Sequence, residues 1–219
     1  MPTTKFVVDD PMTRNSVTVL SRAPLETILV RTNDVTGEIE LDLGNVADKP
    51  RVTFQVPVES LDTGIPMMND VMRGDRWLDA AKHPTVRFTL GRISAPAGRA
   101  ALEDGKTLRV EGEGTLDLRG ASKAVPVKAE VTWLKKSEST ARRLPGDVLH
   151  VIARFDVGLP AFGIESHLAQ TSFDKVAGTL QAEVDVFAST EKPQVAADMQ
   201  ERLAQARTNL GQRLLGSSA

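Results

Sequence analysis

The chain has 219 residues, of which 41% are hydrophobic and 26% are charged, and its formal net charge is −2. This length and balance are typical of one globular domain with additions, and the weak net charge argues against general binding to nucleic acid or to anionic membranes. The absence of cysteine excludes disulfides, thiolate metal sites and cysteine nucleophiles.

The N-terminus predicts no export signal. MPTTKFVVDDPM lacks the basic segment and the following apolar segment of a signal peptide, and no stretch approaches the ~18 apolar residues of a membrane span. We therefore expect a cytoplasmic location, or a periplasmic one if the chain is a processed form.

Alternation of apolar and polar residues dominates the chain as far as residue 187. In VTGEIELDL, for example, Ile39, Leu41 and Leu43 would share one face, with acidic side chains opposite, which is the pattern of a half-buried strand. Eight or nine such strands would form either a sandwich of two sheets or a barrel. The predicted strands are 5–9, 15–21, 35–43, 51–59, 85–93, 107–119, 125–133, 148–157 and 176–187.

Two glycines lie in the middle of the long strand 107–119. Gly112 and Gly114 both fall on its apolar face, where glycine permits a sharp bend of the sheet or the close approach of another group to the backbone. Both interpretations favour a curled sheet over a flat one.

Residues 61–82, here called the insert, interrupt this alternation between two strands. LDTGIPMMNDVMRGDRWLDAAK combines three methionines with neighbouring acidic and basic side chains, which predicts a short helix with local ion pairs. Methionine adapts to irregular apolar partners. The methionines would therefore either plug a dry core or cover the mouth of a ligand cavity, with Trp77 and Leu78 anchoring the insert to the sheet.

The loop 135–147 contains a cluster of basic side chains. Lys135, Lys136, Arg142 and Arg143 fall between two predicted strands. Because loops collect charge by default, we interpret this loop as a solvated hairpin tip.

The last segment changes to a helical period. In 191–216, Ala196, Met199 and Leu203 begin a stripe of apolar residues at steps of three and four, which predicts an amphipathic helix, and Pro193 suits its start. The stripe would pack on the domain, pair with a second copy as a short coiled coil, or cover a pocket mouth. We thus divide the chain into a β domain of residues 1–188 and a helical tail of residues 189–219.

No arrangement of residues indicates catalysis or metal binding. His83, His150 and His167 lie at no metal-ligand spacing from one another or from an acid, and the nucleotide-binding and nucleophile-elbow motifs are absent. Ser166 next to His167 has no supporting acid to complete a triad. We therefore expect no enzyme activity, no metal and no cofactor.

Several segments, taken together, resemble the YceI-like family of lipid-binding proteins. The insert and the strand after it are similar to the family phrase "DTG…N..mR…FfD…yPt..F", TLDLRGASKAVPV to "LTIRGVTKPV", LPAFGIE to "DFGl", and TNDVTGEIELD to the strand "v.G.f..fsGti.ld". The likeness extends in collinear order over residues 5–187. The residues that match the first phrase are Leu61, Asp62, Thr63, Gly64, Asn69, Met72, Arg73, Leu78, Asp79, His83, Pro84 and Phe88.

One family phrase is only partly present. DPMTRNSVTVLSRAP keeps Asp10, Pro11, Ser16 and Val17 of the phrase "DP.HS.v.F.v.H" but neither of its histidines. The chain therefore departs from the family pattern where the resemblance would place the ligand head group.

The resemblance implies an antiparallel eight-stranded, lipocalin-like barrel. The residue patterns add the insert as a short helix and the tail as a C-terminal amphipathic helix, and the tail is an addition to the family pattern. It also implies a non-enzymatic carrier that holds a long apolar lipid, polyisoprenoid or quinone-like, in the barrel lumen. The alternatives are a ligand-free assembly module that forms a homodimer through the tail, and an enzyme that uses the barrel as a chamber. The expected ligand-binding residues are Val17, Val19, Leu41, Phe54, Val56, Met67, Met68, Met72, Phe88, Leu116, Val131, Trp133, Phe155 and Phe162.

Overall fold

Ten antiparallel strands form one continuous sheet in a computed structural model that describes residues 3–95, 100–164 and 175–193. Within these residues the helices are α1 (Pro66–Arg73) and α2 (Glu138–Ala141), and 3-10 turns span Val58–Ser60 and Leu159–Phe162. The strands are β1 (Thr4–Val8), β2 (Ser16–Arg22), β3 (Thr27–Thr32), β4 (Thr36–Leu41), β5 (Arg51–Pro57), β6 (Thr85–Ser94), β7 (Thr107–Leu118), β8 (Ala121–Leu134), β9 (Val148–Gly158) and β10 (Thr179–Ser189).

The sheet closes because its first segments run along its last strand. Val7 in β1 pairs with Ser189 in β10, and Ser16 in β2 pairs with Asp185 farther along the same strand. β1 and β2 thus act as one interrupted strand, and β3 and β4, which pair with them, act as another. The prediction of an antiparallel eight-stranded barrel is confirmed.

The side chain of Asn15 bridges the interruption between β1 and β2. Its Oδ1 accepts a hydrogen bond from the Phe187 backbone N at 2.9 Å, and its Nδ2 donates to the Phe187 carbonyl oxygen at 3.3 Å. Asn15 is only 1% exposed, so this amide supplies the pairing that a strand residue would otherwise give to β10.

One end of the barrel is filled by apolar side chains. There β1 and β4 are paired, so the wall is complete on all sides, and close packing of this kind supplies most of the stability of a small barrel. We call this the filled end and the opposite end the mouth. The most completely buried side chains at the filled end are Phe6, Val8, Ile39, Val46, Leu149 and Val186.

The sequence pattern did not predict β3. Ile28 and Val30 point inward, but the exposed Leu29 between them hides the alternation. Leu29 pairs with Leu20 of β2 across the outer face, and this contact exists only in the folded sheet.

The interpretation of loop 135–147 as a solvated tip is wrong for Arg143. Its guanidinium lies 4.3 Å from the centre of the Phe187 ring and forms an ion pair with Asp10. The Asp10 side chain, 1% exposed, also accepts two hydrogen bonds from the Arg14 side chain and one from the Met12 backbone N. These contacts attach the loop to the chain segment between β1 and β2.

The pKa of Asp10 reflects these opposing effects. Burial raises the pKa, but the hydrogen bonds from Arg14, Met12 and Arg143 more than offset it and hold the pKa below its ordinary range. The ionised carboxylate therefore stabilises the fold at neutral pH, and this stabilisation is lost as the pH falls through the lowered pKa.

We expect Asp10→Asn to lower the free energy of unfolding by about 2 kcal/mol at pH 7. The difference from the wild type should persist down to pH ~4 and shrink below it, because the wild-type carboxylate then becomes protonated. Urea unfolding at several pH values measures this. Asp9→Asn is the control, since Asp9 is 44% exposed and its ion pair within the described part of the chain is a 3.8 Å contact with Lys192. A difference that grows in acid would contradict the prediction.

Gly114 allows the close approach of another group to the backbone, one of the two purposes expected of Gly112 and Gly114, and it lies opposite a bulge in β6. β6 has a bulge between Leu90 and Arg92 opposite this part of β7, which bends the wall. A Cβ atom on Gly114 would lie 2.2 Å from the Phe88 ring, and one on Gly37 would lie 2.8 Å from the Phe54 ring. Both rings therefore lean over backbone that carries no side chain.

Gly114→Ala should destabilise the protein by about 1–3 kcal/mol, because the added methyl overlaps the Phe88 ring. Gly158→Ala is a matched control, since a Cβ atom there meets nothing within 4 Å. Thermal unfolding of the two variants measures the contrast. Equal melting temperatures would show that the ring moves aside at no cost.

The predicted division at residue 188 falls one residue before the end of β10 at Ser189. The predicted helix at 191–216 lies outside the described residues from 194 onward. Its helical structure, its role in dimer formation and the two-part division stay predictions.

Candidate functional site: an apolar cavity at the mouth of the barrel

The mouth of the barrel contains a cavity of about 380 Å³. Its wall is apolar except for Ser21, Thr63, Glu26 and Lys175, and the Ser21 hydroxyl already accepts a hydrogen bond from the Ala177 backbone N. An apolar cavity of this size matches the usual range of small-molecule sites. The apolar lining is Val17, Val19, Ile28, Val30, Val56, Leu61, Met68, Val71, Met72, Trp77, Leu78, Val86, Leu116, Leu118, Phe155, Val157, Leu159, Val176, Leu180 and Ala182.

Three phenylalanine rings lie at the inner limit of this cavity. Phe155 lines it, Phe88 stacks on Phe155 with ring centres 5.9 Å apart, and Phe54 stacks on Phe88 at 6.5 Å. β6 and β9, which carry Phe88 and Phe155, are separated by β7 and β8, so these two rings meet across the interior. We call the three rings the aromatic floor.

The insert completes the barrel wall at the mouth. β3 is the edge of the sheet, and near the mouth its only backbone partner among the described residues, apart from β2, is Asp62. Arg31 and Asp62 exchange two backbone hydrogen bonds of 2.9 Å. A third contact joins the hydroxyls of Thr32 and Ser60 at 2.8 Å. The insert thus closes a gap between β3 and β6.

A small polar network fixes the start of α1. The Asn69 amide donates to Asp62 Oδ1 at 2.7 Å and accepts from the Thr63 backbone N at 2.8 Å, while Arg73 donates to the Leu61 carbonyl oxygen at 2.8 Å. The Asn69 hydrogen bond is the largest cause of a lowered pKa at Asp62. The matching residues of the family phrase therefore act here as structural links.

The helical period of α1 decides which methionines reach the cavity. Met68 and Met72 are four residues apart on the inner face and line the cavity, together with the half-exposed Val71. Met67 is 78% exposed, so its expected place in the lumen is not what the structure shows. Because Val71 touches both cavity and solvent, α1 lies across the opening.

Arg119 joins three segments that carry family motifs. Its guanidinium donates to the Gly163 carbonyl oxygen at 2.8 Å and to the Asp75 carbonyl oxygen at 3.1 Å. The next residue, Gly120, has a positive φ and packs against the His83 ring, where a Cβ atom would lie 2.6 Å from a ring carbon. The β7–β8 turn thus holds the insert and the turn after β9 in fixed positions.

We expect Arg119→Ala to loosen the insert without unfolding the barrel. Losing two hydrogen bonds to backbone carbonyls corresponds to roughly 1–2 kcal/mol, or about tenfold faster amide exchange in α1 by local opening. Hydrogen–deuterium exchange measured by mass spectrometry tests this. Arg109→Ala is the control, on the strand that leads into this turn, since Arg109 is exposed and pairs with Glu130 on the outer surface. Unchanged exchange in α1 would contradict the role given to Arg119.

Some of the residues expected to bind ligand line the cavity, and the others lie elsewhere in the structure. Phe54 and Phe88 point into the barrel beneath the cavity, Leu41 lies at the filled end, and Phe162 is buried in the turn after β9. Val131 and Trp133 are on the part of β8 near the filled end. Those that line the cavity are Val17, Val19, Val56, Met68, Met72, Leu116 and Phe155.

Three lining residues that the sequence analysis missed continue a predicted inward face toward the mouth. Val86, Leu118 and Val157 each lie two residues from an expected residue on the same strand, so the alternation carried the signal. Ile28 and Val30 were missed because β3 itself was not predicted.

The histidines and acids assemble no metal centre in the described part of the chain. His150 Nε2 lies 2.8 Å from Asp185 Oδ1, and the His150 ring stacks on the ring of Phe187. These three side chains point outward from the barrel. The His83 ring packs against Gly120 at the mouth. Ser166 and His167 lie outside the described residues. Among residues 3–95, 100–164 and 175–193 no helix has the length and hydropathy needed to cross a membrane.

A closed eight-stranded antiparallel barrel with one apolar cavity has the architecture of lipocalin-like proteins. The family model described as the YceI-like domain matches residues 7–199, and the chain belongs to that family. A search of curated proteins found no significant match.

Three solved structures show the same fold at low identity. Burkholderia cenocepacia BcnA has 20% identity and a TM-score of 0.64, covering 83% of this chain and 100% of its own. A polyisoprenoid binding domain from Saccharophagus degradans, implicated in plant cell wall breakdown, has 17% identity and a TM-score of 0.62, covering 84% and 97%. The Campylobacter jejuni YceI protein has 16% identity and a TM-score of 0.58, covering 75% and 85%.

Proposed function

We propose that this protein is a non-enzymatic carrier that binds an apolar lipid, polyisoprenoid or quinone-like, in the cavity at the mouth. The observation that carries the proposal is the cavity itself, which is about 380 Å³ in volume and apolar over nearly all of its wall. An empty apolar cavity destabilises a protein, and an apolar ligand that fills it regains the lost contacts.

Affinity would come from burial of the chain. Each buried methylene contributes about 0.8 kcal/mol, so one isoprene unit contributes several kcal/mol before the cost of ordering the ligand is subtracted. The rings at the inner limit of the cavity offer no polar group to a head group, while Glu26 and Lys175 are the charged residues of its wall and Lys175 is exposed. The head group of the ligand would therefore remain at the mouth.

The name of one structural neighbour supports the same ligand class. The Saccharophagus degradans domain is described as a polyisoprenoid binding domain, and its fold is shared by this chain. The insert adds a reason specific to this protein, since Met68 and Met72 give the cavity an adaptable cover.

The test is mass spectrometry of an organic extract of the natively purified protein, beside native mass spectrometry of the same sample. We expect one stoichiometric apolar molecule. Ala182→Phe should reduce the extracted amount several-fold, because its ring would occupy the cavity. Glu183→Phe is the matched control, since it places the same ring on the outer face of the same strand.

Two outcomes would overturn the proposal. The first is an empty wild-type protein, especially a dimer that becomes a monomer when residues 191–219 are deleted, which would favour an assembly module. The second is a well-folded Ala182→Phe variant that retains as much ligand as the wild type, which would place the lipid elsewhere on the protein.

A further inference from the structure

The aromatic floor lies near the point where the cavity ends on β7, β9 and β10. On β10 the last lining residue is Ala182 and not Val184, and on β9 it is Phe155 and not Ala153. On β7 it is Leu116, whose partner in β6 is Phe88. The cavity therefore stops close to the aromatic floor on these three strands, while on β2 it extends to Val17, the partner of Val184.

Glycine at two positions allows the rings to reach across the interior. The tip of the Phe88 ring lies over Gly114, which is on the strand next to β6 in the direction of β9. A Cβ atom on Gly37 would lie 2.2 Å from the Thr53 carbonyl oxygen and 2.8 Å from the Phe54 ring, so this glycine leaves room for both. A larger side chain at either glycine would overlap the ring, so the two glycines and the three rings form one barrier.

The filled end of the barrel, beneath the barrier, is closely packed. Phe6, Ile39 and Leu149 are at most 2% exposed at the filled end, and close-packed interiors of this kind have few voids larger than a water molecule. A chain that enters from the mouth thus ends against the aromatic floor and cannot run the length of the barrel.

We infer that the aromatic floor limits the ligand to a buried chain of about 15 carbons, an inference that rests on the proposed carrier function. An apolar cavity of about 150 Å³ holds benzene, which gives about 25 Å³ per carbon, and the volume of 380 Å³ then corresponds to about 15 carbons. This equals three isoprene units. The remainder of any longer chain would project through the mouth into water.

The experiment measures the affinity of the purified full chain for straight-chain 1-alkanols of increasing length, by displacement of a fluorescent apolar probe. Affinity should rise by up to about fourfold per methylene and then level off near 15 carbons. Phe88→Ala removes about six carbons from the floor. The affinity of this variant should therefore level off at a chain length up to about six carbons greater than in the wild type. Phe187→Ala, a change outside the barrel interior, should leave the wild-type plateau in place.

A milder variant keeps the test decisive if Phe88→Ala fails to fold. Phe88→Leu removes about three carbons and should give an intermediate plateau, as expected when the ring volume itself sets the limit. Wild-type affinity that keeps rising well beyond 20 carbons, or a plateau that neither variant moves, would overturn the length limit alone. Absence of binding at every length would overturn the proposed function and the limit with it.

Discussion

Closure of the sheet is the constraint on which the rest of this structure depends. A sheet with an open edge would leave backbone groups unpaired and enclose no apolar volume. Here closure depends on β10, which pairs with β9 on one side and with β1 and β2 on the other. The buried amide of Asn15 maintains that pairing where the first strand is interrupted. The closed wall determines the position of every side chain that points inward.

The contacts at the mouth explain why the family motifs contain polar residues although the cavity is apolar. Asp62, Asn69, Arg73 and Arg119 touch one another or backbone carbonyls and contribute no reactive group to the cavity. Their contacts hold the insert across a gap that the strands leave between β3 and β6. The insert is therefore both wall and cover, and these polar contacts hold its apolar inner face in position.

The interior of the barrel is likewise divided into parts with different roles. The wall at the filled end supplies packing, the wall at the mouth supplies the cavity, and the aromatic floor divides them. Phe88 belongs to both halves, since it stacks on Phe155 in the cavity wall and on Phe54 in the packed layer. Gly114 is essential to this arrangement, because it has no side chain to keep the Phe88 ring away from the wall.

The sequence by itself determined most strand faces and the helical insert, because alternation along a strand reports directly which side chains point inward. The resemblance of its motifs to a known family chose the barrel over the sandwich, and seven of the residues that line the cavity were among those predicted to bind ligand. The sequence missed β3, where Leu29 breaks that alternation, and it placed Met67 in the lumen, where α1 turns it to solvent. Only the tertiary structure decided which end of each inward face borders the cavity, because depth along a barrel depends on strand register and on rings meeting from distant strands. Trp133 and Leu116 both lie on apolar strand faces, yet only Leu116 lines the cavity.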